Sequence, residues 1–257
     1  PLPLKPDPSF SWATFLYIIL GGFFVTGSSN GFNQIIERKS DKKMKRTENR
    51  PLPAGRMKVP EAIIVSALIG VLGLFLLYKI NEISFLLGLI ALVSYVAIYT
   101  PLKKLTPISV FIGAFPGSIP PMIGYIAATG EFGFEPGIIF LVQFVWQFPH
   151  FWAIAWKINT QYAEAGFKML PFGKKDKRTA LLILLSSLVL FGASVLPEII
   201  GLTGRVATIG LFVLSALMVY PSIKLVQTLD DKFALRIMLM SYLYLIVSLT
   251  IILIDKT

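Results

Sequence analysis

The chain has no cysteine and a single histidine, His150. The first absence excludes disulfides, thiolate metal sites and cysteine nucleophiles, and the second excludes a metal centre built from several imidazoles. Charge is scarce as well. Only 15% of the 257 residues are Asp, Glu, Lys or Arg, where a soluble domain carries roughly 25%. The chain therefore lacks the polar surface that a water-soluble globule of its size needs, and no feature of it predicts a nucleic-acid partner.

What is present is apolar. Hydrophobic residues make up 55% of the chain and the mean hydropathy is +0.72. A membrane-crossing helix needs about 20 mainly apolar residues. Eight runs qualify, at about 10–36, 61–80, 82–100, 108–128, 136–157, 179–198, 204–222 and 233–254. Runs such as Ala62 to Leu77 are apolar on every side, unlike the alternating strands of a membrane barrel. The predicted fold class is all-α, a polytopic transmembrane helical bundle lying in the lipid bilayer, with 1–257 as a single domain.

The cations are unevenly placed. Loops 37–60, 101–107, 157–178 and 223–236 hold twenty of the twenty-four Lys and Arg; the opposite side holds Lys5, Lys79, Arg205 and Lys256. Acidic residues divide almost evenly, so the bias is specific to cations. The positive-inside rule makes the basic side cytoplasmic, in a bacterial plasma membrane or, in an organelle, facing the matrix. Pro1 and Thr257 are then both expected outside, an arrangement that predicts one more helix ahead of Pro1.

Polar residues cluster on the basic side. Asn33, Glu37 and Asp41 recur every four residues and share one face of a continuing helix. An amide and two carboxylates form a hard oxygen set suited to Mg²⁺, which typically combines one or two carboxylates with substrate phosphates. Lys45, Arg46 and Arg50 follow and can hold diphosphate oxygens; Lys39, Lys42 and Lys43 read as topological charges. Lys103 and Lys104 after Tyr99-Thr-Pro are equally readable as phosphate ligands or as topology. Tyr162 and Glu164 are weak candidates for a second phosphate or metal cluster.

His150 lies within a span, in Trp146-Gln-Phe-Pro-His-Phe-Trp152. It is either functional or bonded to a carbonyl freed by Pro149. The tryptophans, Trp156 above all, also read as interfacial anchors. Glycines and prolines from Gly113 to Gly124 interrupt a helix, as happens where membrane helices line a cavity or pack tightly.

These segments resemble the UbiA-type intramembrane prenyltransferases. The resemblance rests on Asn33-x3-Glu37-x3-Asp41 followed by Met44-Lys-Arg-Thr-x-x-Arg50-Pro-Leu-Pro-Ala-Gly-Arg56. It rests also on Tyr99-Thr-Pro-Leu-Lys-Lys-x-Thr-Pro107, Gly117-Ser-Ile-Pro-Pro121, and Trp146-Gln-Phe-Pro-His-Phe-Trp152 with Tyr162-Ala-x-Ala-Gly166 and Met169-Leu-Pro171. It covers essentially the whole chain and is narrowest to the haem-farnesylating branch. It implies a nine-helix bundle, of which eight helices are visible here, and farnesyl transfer from farnesyl diphosphate to a vinyl group of haem b, giving haem O. It implies Mg²⁺ on Asn33, Glu37 and Asp41 with Glu164 as a further candidate. Diphosphate would lie on Lys45, Arg46, Arg50, Lys103 and Tyr162, and haem at His150 and Trp146. Phe32, Tyr95, Tyr99 and Phe148 are candidates to face an allylic cation. Possible partners are a haem A synthase or terminal-oxidase assembly factors. One departure stands out: Gln161 occupies a place that is usually acidic. The alternatives are prenylation of a quinone precursor or other aromatic acceptor, and a transporter.

Overall fold

The computed structural model describes residues 11–255; the expected positions of Lys5, Lys256 and the two chain ends lie outside them. Its long helices are α1 (Trp12–Asp41), α2 (Val59–Tyr78), α5 (Ser109–Thr129), α6 (Phe134–Lys157), α8 (Lys177–Ala193), α10 (Arg205–Thr228) and α11 (Asp231–Ile254). The third span is composite: α3 (Glu82–Val93), a π-helical segment Ser94–Tyr99 and α4 (Thr100–Leu105). Short helices α7 (Asn159–Glu164) and α9 (Leu196–Ile199) lie in connections. Among the described residues, eight helical spans are long and apolar enough to cross a membrane. Large apolar side chains such as Phe23, Val71, Val206 and Ile246 are exposed around the bundle. That pattern suits lipid as the solvent, since lipid tails are as apolar as leucine.

The predicted spans are recovered with one informative difference. α1 runs to Asp41, five residues past the expected end, so Asn33, Glu37 and Asp41 do stand on one continuous helix. Small residues fix that helix against α2. A Cβ added at Gly73 would meet the backbone N of Val25 at 2.7 Å and the carbonyl O of Gly21 at 2.9 Å. One added at Gly31 would run into the Ser66 hydroxyl, and one at Gly70 would meet that of Ser28 at 2.5 Å. Without a hydrophobic driving force between helices in lipid, such close backbone approach is what holds a pair together.

The π-helical segment has a local cause. Pro101 has no N–H to donate four residues back, so the regular ladder fails there. The Thr100 N–H and hydroxyl both donate to the Tyr95 carbonyl, five residues back, the hydroxyl at 2.8 Å. The wider turn brings the rings of Tyr95 and Tyr99 to 5.1 Å, centroid to centroid. In α5, three internal prolines, Pro116, Pro120 and Pro121, are accommodated without ending the helix. Gln147 of α6 donates to the Ala114 carbonyl (2.8 Å) and the Ser118 hydroxyl (2.7 Å). Any side chain at Gly117 would collide with its amide.

Candidate functional site

At one end of the bundle a cavity of about 500 Å³ opens among α1, the π segment with α4, α6, α7 and α11. Its wall includes Asn33, Glu37, Asp41, Arg46, Arg50, Lys103 and Tyr162, so residues separated by up to 129 positions in the chain converge. A second cavity of about 480 Å³, lined by Ile18, Val25, Leu77, Ile119 and Ile123 among others, shares Asn30 and Tyr95 with the first. A charged mouth thus adjoins an apolar chamber.

Each acidic side chain has a cation beside it. Glu37 Oε1 lies 2.6 Å from Lys103 Nζ, and Asp41 Oδ2 accepts from Arg50 Nη1 at 2.8 Å. Glu37 is 4% exposed and Asp41 1%, so both carboxylates are shielded from water, while Arg50 is partly exposed. The Asp41 Oδ1 atom is buried with no hydrogen-bond partner. Asn33 Nδ2 donates to the Thr100 hydroxyl (3.2 Å), whose own proton goes to Tyr95. That arrangement makes the Asn33 amide oxygen the atom left to accept. The unmatched Asp41 oxygen, the second carboxylate and the amide oxygen fit a hard divalent cation that also needs ligands from a substrate.

The loops are tied to this geometry. The Thr47 hydroxyl donates to the carbonyl of Asp41 (2.8 Å), folding the chain back so that Arg46 and Arg50 reach the cavity. Lys103 sits 4.9 Å from the Tyr99 ring centroid and 5.5 Å from that of Phe167, within cation–π range. The Lys168 N–H donates to the Lys103 carbonyl at 2.7 Å, clasping the second basic loop to α4. Burial pushes the Tyr162 phenol above its usual range, so at neutral pH it keeps its proton to donate.

Other expected residues stand elsewhere. Lys45 is exposed and does not line the cavity, nor does Glu164, which is also exposed. Two residues along a helix turn through about 200°, so with Tyr162 facing inward, Glu164 faces out. Phe32 is not part of the cavity lining, and Phe148 stacks on Phe111 instead (5.8 Å). Lys157, Met238 and Tyr242 line the cavity without having been singled out in the sequence.

His150 is bonded to Ser241, and Pro149 plays no part in that contact. Its Nδ1 lies 2.7 Å from Ser241 Oγ, which donates its proton to the Met238 carbonyl at 2.6 Å. The hydroxyl has one proton, so Nδ1 must be the donor and Nε2 carries the lone pair. The ring stacks on Trp146 (4.6 Å, 16°), whose Nε1 donates to the Ser241 carbonyl (2.9 Å). Neither residue belongs to the cavity lining. Phe151 and Tyr242, which flank the imidazole at 5.2 and 5.0 Å, do.

An apolar chamber beneath a mouth of paired carboxylates and cations defines a membrane-embedded enzyme for amphiphiles with a polyanionic head. The model of the UbiA prenyltransferase family matches residues 3–246. A protein from Flavobacterium johnsoniae named protoheme IX farnesyltransferase is 44% identical over 260 residues, covering 99% of this chain and 86% of that one. One of the same name from Cytophaga hutchinsonii is 46% identical over 247 residues, covering 95% and 86%. The chain therefore belongs to the UbiA prenyltransferase family. Among solved structures, a digeranylgeranylglyceryl phosphate synthase superposes with a TM-score of 0.80 at 20% identity, covering 98% of this chain and 88% of that one. A UbiA homolog from Archaeoglobus fulgidus bound to GPP and Mg²⁺ gives 0.67 at 18%, covering 96% and 90%.

Proposed function

We propose that this chain transfers a farnesyl group from farnesyl diphosphate to a vinyl group of haem b, forming haem O, the reaction class for which its bacterial relatives are named. The observation that carries the reading is the shared border of the two cavities at Asn30 and Tyr95. An amphiphile with its head among Arg46, Arg50 and Lys103 has an apolar chamber next door for its tail.

Breaking the bond between farnesyl C1 and the diphosphate oxygen leaves the electron pair on diphosphate and an allylic cation on the tail. Arg46, Arg50, Lys103 and the Tyr162 phenol stabilise the leaving charge, most strongly where water is excluded. Mg²⁺, held by Glu37 and Asp41 with the Asn33 amide oxygen, would supply Lewis-acid neutralisation of the same oxygens. The Tyr95 ring at the border and the Tyr99 ring in the charged cavity have negative faces that can stabilise the cation. The terminal vinyl carbon of haem adds to farnesyl C1. The positive charge passes to the inner vinyl carbon, and water adds there with loss of a proton. His150, as the Nδ1–H tautomer, offers Nε2 as an acceptor. That atom suits haem iron and cannot donate to a propionate, so we assign His150, backed by Trp146, to the iron. The basic end faces the cytoplasm on this reading.

Incubating the full-length protein with haem b, farnesyl diphosphate and Mg²⁺ should give a haem heavier by a farnesyl group and a hydroxyl in mass spectrometry. Prenylation of small aromatic acceptors, with haem left unchanged, would overturn the assignment of the acceptor.

A further inference from the structure

We infer that the site works with one divalent cation, and that Lys103 is the fixed charge standing where a second would bind. The inference rests on the diphosphate reading above and concerns what accompanies the diphosphate. Prenyl diphosphate chemistry, like other phosphoryl chemistry, can be supported by one metal or by two held about 4 Å apart. A second metal needs its own anionic ligands. Among the described residues only two carboxylates line the charged cavity, Glu37 and Asp41.

The second basic loop has the wrong chemistry for a metal. It offers the cavity Lys157, Ile158, the Tyr162 phenol, Phe167 and Met169, none of them a carboxylate, while Glu164 is exposed and outside the lining. On the side of Glu37 where a second cation would coordinate, an ammonium is already 2.6 Å from the carboxylate oxygen. That ammonium is held in place. Lys103 is 8% exposed, bracketed by the Tyr99 and Phe167 rings, with its carbonyl tied to the Lys168 N–H. An ammonium has three protons to donate, so it can keep Glu37 and still reach a diphosphate oxygen.

Charge balance points the same way. The lining sets Glu37 and Asp41 against Arg46, Arg50, Lys103 and Lys157, a net positive wall. One divalent cation with its diphosphate is net negative and is neutralised by that wall. Two divalent cations with one diphosphate would be net positive against it, at the low effective dielectric of a buried site. Asp41, with its unmatched Oδ1, is the side on which the single ion is expected.

The test is metal stoichiometry on the full chain in lipid nanodiscs, titrated with Mn²⁺ in the presence of unreactive farnesyl S-thiolodiphosphate and followed by electron paramagnetic resonance and calorimetry. One Mn²⁺ per chain, with the spectrum of an isolated ion, is the expected result. Two per chain with a spin-coupled spectrum would overturn the inference while leaving the diphosphate site intact. No Mn²⁺ bound with the analogue present would overturn both. Lys103→Glu supplies a carboxylate where the ammonium stands, and should raise the count to two. If that variant, loaded with the analogue, still binds one, the role given to Lys103 is wrong.

Discussion

Asp41 shows how a single residue is specified by several neighbours. It sits at the last turn of α1, where the carbonyl ends of the helix favour cations, and its side chain is bonded to Arg50 on one oxygen and unmatched on the other. Asp41→Asn keeps the shape and removes the charge. We expect turnover to fall by about 10²–10³-fold, with the folded protein recovered in near-normal amount; near-normal kcat would remove Asp41 from the site. Lys42→Gln and Lys43→Gln, both at exposed positions outside the cavity, should leave kcat within about twofold, because exposed single charges contribute little. Ser241 tests the imidazole tautomer. Partners behind a ligating histidine typically matter by about 10–100-fold. Ser241→Ala should therefore weaken haem binding about tenfold and shift the Soret band, whereas Ser241→Thr should restore both and Mn²⁺ binding should not change. An unaltered haem spectrum in Ser241→Ala would end the assignment of His150 to iron.

At the scale of elements, the spans were readable because each is a long apolar run, while their ends were less so. α1 continues past its apolar stretch to Asp41 because the polar face from Asn33 onward is paired with Thr100 and Lys103 of α4 and with Arg50 of the following loop, a tertiary effect no hydropathy window contains. Asn33, Glu37 and Asp41 were legible from their spacing of four. Lys157, Met238 and Tyr242 were not, since a lysine at a span end reads as topology and α11 carries no polar motif. Glu164 misled because its sequence neighbour Tyr162 does face the cavity, and only the helix geometry separates the two. The π-helical segment was foreshadowed only by Pro101. The α1–α2 contact offers a direct test of scaffold. Gly73→Leu must push apart two backbones already in contact, at a cost of about 1–3 kcal/mol or more. We expect a lower midpoint in thermal unfolding and loss of metal binding together, whereas Gly192→Leu, at an exposed position of α8 with nothing near it, should change neither. A stable, metal-binding Gly73→Leu would show that α1 is held otherwise.

For the whole molecule, the uneven placement of cations predicted that the polar motifs share one end, and the charged cavity gathers residues from all four basic loops. Which membrane face that end meets is a separate question. The absence of cysteine makes it easy to answer, because any introduced thiol is unique. Glu48→Cys lies in the first basic loop and Phe132→Cys in the connection at the other end, both exposed. A membrane-impermeant maleimide should label Phe132→Cys in intact cells and Glu48→Cys only after permeabilisation. The opposite pattern would invert the orientation.

The length of α1 has a consequence for where the chemistry happens. Thirty residues extend about 45 Å, against a hydrocarbon layer of about 30 Å, so on the proposed orientation, with the basic loops outside the layer, the last turns stand in the headgroup zone. Asn33, Glu37 and Asp41 occupy those turns, while the chamber lined by Ile18, Val25 and Leu77 lies below them. On the proposed function, the bond that breaks then straddles a phase boundary. One fragment is released on the side where ions are soluble, the other on the side where only hydrocarbon is, and recombination requires one of them to cross. The membrane itself acts as the separating funnel of the reaction.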